Sequence, residues 1–200
     1  MKIRILTWLV LVAFTAVCLC AVETLWTQKQ IADKTVRLHV VANSDSEADQ
    51  AQKLAVRDAV LPVIAELTAD CADARQAREV LAAHLPEIQS AAMTASGGRE
   101  VTASLTNEAF PTRQYDTFTL PAGTYPSLRL RIGAAQGHNW WCVVFPSLCL
   151  AATSDALEDC AAVGGFDASE TELITGGEET FVIRFKLFEW VQELIEFLNN

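Results

Sequence analysis

The chain alternates between two hydrophobic periods. From Thr35 to Ala42 apolar residues crowd together (Val36, Leu38, Val40, Val41), which predicts a buried strand. Asn43-Ser44-Asp45-Ser46 stops it, and Ser44 with Glu47 three residues on reads as a capping box opening a helix. That helix carries Leu54, Ala55, Ala59, Leu61 and Ile64 inward, with Val56, Val60 and Leu67 widening the apolar face. Pro62 is expected to kink or split it, because proline removes the hydrogen bond to residue 58. Helical spacing returns from Asp73 to about Ser96 through Ala77, Val80, Leu81, Leu85, Ile88 and Ala92. Pro86 divides this run and suits the first turn of its second piece, and Gly97-Gly98 closes it.

From Arg99 the period becomes two. Val101, Ala103 and Leu105 alternate with polar residues, a strand follows near Gln114 to Leu120, and Pro121-Ala122-Gly123 signals a turn. Leu128, Leu130 and Ile132 then alternate with Arg129 and Arg131, and Gly133 to Gly137 turns the chain into a strand holding Trp140 and Trp141. Successive strands with short loops predict an antiparallel meander. Residues 151–180 carry eight acids and no Lys or Arg, with two glycine pairs, and read as a variable surface excursion. Beyond it, Phe181, Ile183, Phe185 and Leu187 predict a strand, and Phe188, Val191, Leu194, Ile195 and Leu198 an amphipathic helix. The expected fold is α+β: an N-terminal membrane or signal helix, then one domain whose antiparallel sheet is covered by helices on one face.

The N-terminus sets the domain boundary. Residues 5–22, ILTWLVLVAFTAVCLCAV, hold no charge and follow Lys2 and Arg4, at the border between a signal peptide and a single membrane span. Residues 1–27 are therefore expected to be a signal peptide or anchor, and residues 28–200 an exported domain, with 150–180 its acidic excursion. The formal net charge of −10 gives no electrostatic footprint for nucleic acid, and no nucleic-acid partner is expected. Export permits disulfides. Of the six cysteines, Cys71, Cys142, Cys149 and Cys160 lie outside the apolar segment, allowing three pairings. Cys142–Cys149 is the preferred candidate, since Pro146-Ser147 can turn the chain back between them. No CxxC pair points to structural zinc.

Candidate chemistry is sparse. Cys142 with His138 or His39 is the one nucleophile–base combination worth weighing; His138, four residues away on the same strand, sits about 13 Å off, so His39 on another strand is the better partner. The alternation Asn43, Asp45, Glu47, Asp49 hints at calcium, but the EF-hand loop fails without Gly at its sixth position and Glu at its twelfth. Arg37 and Arg57 are expected to pair with Asp45, Asp49 or Asp58 across the strand–helix corner. There is no P-loop, GxGxxG or GxSxG. No catalytic residue, metal or cofactor is assigned, and the chain is read as a non-enzyme. Aromatic and arginine side chains dominate binding hot spots. Trp140, Trp141, Arg113, Tyr115, Arg129 and Arg131 cluster in the sheet half and are the candidate partner-binding residues.

Four blocks in order carry a family resemblance: VRLHVVANSDSEADQAQKLAVRDAV (Val36 to Val60), FPTRQY (Phe110 to Tyr115), LPAGTYPSLRLRIG (Leu120 to Gly133) and GHNWWCVVFPSLC (Gly137 to Cys149). Together they resemble the stage II sporulation protein R family over roughly residues 35–150. The resemblance implies a signal exported from the forespore into the space between forespore and mother-cell membranes. Its implied partner is a membrane-embedded aspartic protease that, once activated, removes the pro-sequence of an early mother-cell sigma factor. The membrane itself is a partner if the N-terminal segment is uncleaved. Two other classes stay open at this level: an exported thiol or cell-wall hydrolase using Cys142 with a histidine, and a lipid- or glycan-binding module using the tryptophan strand.

Overall fold

A computed structural model describes residues 25–115, 117–148 and 154–175, with the single positions 8, 15, 19 and 22. Residues 25–33 are helical (α1) and lead into strand β1, Val36–Val41, every residue of which is buried. Helix α2, Glu47–Thr68, is capped by Ser46, whose hydroxyl accepts from the backbone N–H of Asp49 at 3.2 Å. The cap thus sits two residues later than the expected Ser44, whose hydroxyl instead donates to the Asp49 carboxylate. Val56, Val60 and Ile64 form the buried stripe of α2. The helix runs through Pro62 unbroken: Pro62 faces solvent, where water can take the freed Asp58 carbonyl, while Val60 and Ile64 on either side are held in the core.

Asp73 caps α3, Ala74–Ala83, by accepting from Gln76 N at 2.7 Å, and Pro86 lies in the first turn of α4, Leu85–Ala95. Then come β2, Val101–Phe110; a small hairpin of β3, Arg113–Gln114, and β4, Thr119–Leu120; β5, Gly123–Ile132; β6, Asn139–Phe145; and helices α5, Ser154–Val163, and α6, Ala168–Thr175.

The main sheet has the order β2-β5-β1-β6. It is mixed rather than antiparallel: β1 runs parallel to β5, with Arg37 beside Ser127 and Val41 beside Arg131, and antiparallel to β6. The expected meander is opened because β1, buried on both sides, takes a central place between β5 and β6. The 133–138 connection is therefore no hairpin turn. It crosses the end of β1, with Gln136 N–H bonded to the Asn43 carbonyl at 3.1 Å and Gly137 N–H to that of Ala42 at 3.0 Å.

Helices cover both faces, not one. On one side Val36, Leu38, Val40, Leu128, Leu130, Cys142 and Val144 pack with α2–α4. On the other, Phe110, Tyr125 and Val143 form a second core with Ile31 of α1, Phe118 and Leu120 of the small hairpin, and Leu157, Ala161, Phe166 and Ile174 around α5 and α6. Each buried Leu or Ile contributes about 1.5–3 kcal/mol, so the described part of the acidic excursion, 154–175, is a structural element and not a surface loop. Its cap is a reciprocal pair, Asp167 N–H to Glu170 Oε2 at 2.7 Å and Glu170 N–H to Asp167 Oδ1 at 2.8 Å, instead of Ser169 with Glu172. The Phe181–Leu187 strand and the following helix expected from the sequence lie outside the described residues, as does segment 5–22 apart from four positions. Among the described residues, no helix is long and apolar enough to cross a membrane.

The ANSDSEADQ block is a clamp at the strand–helix corner. Asp49 accepts from Asn43 Nδ2 at 2.8 Å and Ser44 Oγ at 2.5 Å, and pairs with Arg99. Its partner is thus Arg99, not Arg37 or Arg57; Arg57 pairs with its neighbour Asp58 at 2.7 Å. Asp45 accepts the His138 N–H at 2.6 Å, tying the corner to the crossover. The hydrogen bonds from Asn43 and Ser44, and then that from Arg99, hold the Asp49 carboxyl well below the usual carboxylate range. A depressed folded pKa means that the stabilisation is fully present above the ordinary value of about 3.9 and is lost as pH falls below it. Asp49→Asn should therefore flatten the loss of thermal stability between pH 5 and about pH 2, relative to the unmodified chain. Superimposable acid profiles would count against the clamp.

Candidate functional site

Period two separates the two tryptophans. Trp140 points to the helix side and packs on that core, with the Arg57 guanidinium 5.1 Å from its ring centre. Trp141, one residue on, points to the opposite face. There the guanidinium carbon of Arg113, from β3, lies 4.1 Å over its indole, a geometry that stabilises by cation–π attraction. Tyr115 stacks on Phe118 with ring centres 4.5 Å apart, and its hydroxyl accepts from Arg37 Nη2 at 2.6 Å. Arg129 and Arg131 lie on the same face of β5 as Ser127, the residue that neighbours Arg37.

A polar chain crosses this face from strand to strand. Arg129 Nη1 pairs with Glu108 Oε1 at 3.1 Å, Glu108 Oε2 meets His39 Nδ1 at 3.1 Å, and His39 Nε2 faces Asn139 Oδ1 at 3.0 Å. The residues come from β2, β5, β1 and β6 in spatial order. Towards one end the face is sealed by α1, the small hairpin, α5 and α6; towards the other, Thr102, Thr106 and Arg131 are exposed. Arg113, also exposed, and Trp141 sit at the boundary.

Five of the six candidate partner-binding residues, Trp141, Arg113, Tyr115, Arg129 and Arg131, thus share one face, and Trp140 does not. Sequence reading missed Glu108. Its only signal was its position, a carboxylate on the same side of β2 as Phe110.

The arrangement bears on bond-breaking chemistry. Cys142 pairs with Leu38 in register and faces the helix-side core, whereas His39 pairs with Trp141 and faces the other way. Cys142 is moreover disulfide-bonded, to a partner outside the described residues, where Cys149 also lies. A bridged sulfur on the far side of the sheet is no nucleophile for His39. Cys71 and Cys160 are free thiols, both pushed up mainly by burial, the direction opposite to thiolate activation. His39 has both ring nitrogens occupied, by Glu108 and Asn139, leaving neither open to a substrate proton. His138 is exposed and held by Asp45 at 2.5 Å. Among the described residues, no group of three or more His, Cys, Asp or Glu is placed to hold a metal ion.

The comparisons with known proteins cover this region. A family model described as stage II sporulation protein R matches residues 32–155, from the end of α1 through β6. A curated relative, "Stage II sporulation protein R" of Bacillus subtilis (strain 168), is 32% identical over 187 residues, covering 82% of this chain and 83% of its own. No solved structure matches. With a family model spanning the whole sheet and a relative aligned along most of both chains, this chain belongs to the stage II sporulation protein R family.

Proposed function

We propose that this chain is an intercompartmental signal of sporulation. It is exported from the forespore and activates a membrane-embedded aspartic protease, which then removes the pro-sequence of an early mother-cell sigma factor. Family membership across residues 32–155 is the observation that carries this reading. The geometry supports a binding role: an acidic chain of net charge −10 presents Arg113 over a half-buried indole, with Arg129 and Arg131 on the same face of the sheet and Glu108 paired to Arg129. Arginine over tryptophan at the edge of an apolar core is the composition of a docking hot spot.

Activation follows by differential affinity. A docked domain shifts the protease toward its active arrangement only as far as it binds that arrangement more tightly. Moving the equilibrium from 1:99 to 99:1 takes about 5.5 kcal/mol, within reach of one modest interface.

The test is co-expression of the chain with the candidate protease and its pro-sigma substrate in a non-sporulating host. Pro-sequence removal is expected only when this chain is present. Trp141→Ala is expected to cut processing at least tenfold while circular dichroism and expression level stay unchanged, in line with about 2 kcal/mol or more at a hot spot. Processing that proceeds equally without the chain would overturn the function. Full activity of the Trp141→Ala variant would move the interface elsewhere.

A further inference from the structure

Arg37 stands mid-strand with 0% of its surface exposed. Its guanidinium carbon lies 4.0 Å from the ring centre of Phe110 and 5.0 Å from that of Tyr125. Tyr115 Oη takes one hydrogen bond, from Nη2. Nε and Nη1 have no hydrogen-bond partner. Among the described residues no carboxylate pairs with it, and Arg113 adds a like charge nearby. One more polar group beside it is unpartnered and buried, the hydroxyl of Ser127, its neighbour on β5.

Buried polar groups in folded proteins are almost always paired, and buried charges more strictly so. Water can satisfy an N–H but leaves the charge uncompensated. The aromatic faces compensate part of it. The tyrosines do not supply the missing negative charge, since burial pushes both the Tyr115 and the Tyr125 phenols up and keeps them neutral. No described residue supplies a counter-charge, and an arginine kept here costs stability unless one arrives.

We propose that Arg37, with Ser127 beside it, is a receptor for an aspartate or glutamate carboxylate of a partner protein, covered in the free chain by Tyr115. The donors suit that group: a guanidinium and a neighbouring hydroxyl match an ionised carboxylate, which offers about four lone-pair sites. The surroundings suit an acidic partner, because Arg113 adds a second positive charge beside the site. The cover is a single side chain: Tyr115 follows the two-residue strand β3, which pairs with the two-residue strand β4. On docking, a carboxylate replaces the Tyr115 hydroxyl on the guanidinium. This rests on the proposed function only for which protein supplies the carboxylate.

The test uses the full chain with Arg37→Met and Arg37→Lys. If Arg37 is a receptor, Arg37→Met melts at or above the temperature of the unmodified chain, because an apolar side chain of similar length fills a dry site. Both variants lose at least tenfold in pro-sequence removal in the co-expression assay, lysine failing because it lacks the planar fork. Sodium acetate as probe raises the melting temperature of the unmodified chain above that in sodium chloride of equal ionic strength, and does not do so for Arg37→Met. A fall of several degrees on Arg37→Met would make the residue structural and overturn the proposal. So would wild-type processing by that variant, or an acetate response no different from chloride. If the unmodified chain itself supports no processing, the sporulation function falls, and the carboxylate site is decided by the acetate comparison alone.

Discussion

Replacing Gly137 by alanine should destabilise the chain by about 3 kcal/mol, the upper end of the cost of forcing extra atoms into a packed site. At this size that corresponds to a fall in Tm of about 6–12 °C. A Cβ at this position would come closer than 3.0 Å to the backbone carbonyl of Ser44 and to 3.0 Å of the Ala42 side chain. The obstacle is main chain and cannot rotate away. Nor can the loop retreat, because Gly137 N–H is bonded to the Ala42 carbonyl and His138 N–H to Asp45. Gly98→Ala is the control. Gly98 has φ of +85°, and nothing lies within 4 Å of the point where a Cβ would stand, so only backbone strain of about 1–2 kcal/mol is expected there. Thermal melts of the two variants measure the difference. Equal melting temperatures would mean that the crossover is not pressed onto the end of β1.

That crossover also marks what the sequence could and could not disclose. Gly133 to Gly137 was legible as a turn, and Leu128, Leu130 and Ile132 were legible as a core-facing set, because turn residues and period-two alternation are local. Which strand lies next to which is not local. The insertion of β1 between β5 and β6 joins residues between 90 and 109 positions apart, and no pattern within either segment encodes the pairing. The same limit hid the partners of the charged residues. Arg37 looked like a corner residue waiting for Asp45, Asp49 or Asp58, but β1 carries it under the small hairpin, and Arg99, after the last helix of the first half, takes Asp49.

Alternation did foretell the candidate face. Arg129 and Arg131 must share a side, and Trp140 and Trp141 must part. It could not say that Trp141, rather than Trp140, would join the arginines, since that depends on which side of the sheet α2–α4 occupy. The acidic segment misled for a compositional reason. Its charge count masked Leu157, Ala161 and Ile174, whose spacing is enough to bury one side of two short helices.

Phe110 joins the fold to the candidate face, and its removal should have the largest single effect. It is 4% exposed and meets Tyr125, Trp141 and His39 edge-on at centroid distances of 5.9, 6.0 and 6.2 Å, besides lying under the Arg37 guanidinium. Phe110→Ala should cost about 3–5 kcal/mol, the range for deleting a buried phenylalanine. Phe110→Leu keeps most of the volume and should cost about 1.5 kcal/mol. The decisive measurement is a double-mutant cycle with Arg37→Met. A ring that shields a buried positive charge is worth more when the charge is there, so Phe110→Ala should cost about 1–2 kcal/mol less in the Arg37→Met background. Chemical denaturation of the four proteins gives the coupling. Strict additivity would show that the ring and the guanidinium are merely neighbours. A coupling of the expected sign would show that part of the second core exists to hold an unpaired charge in place, which is the arrangement a carboxylate-bearing partner requires.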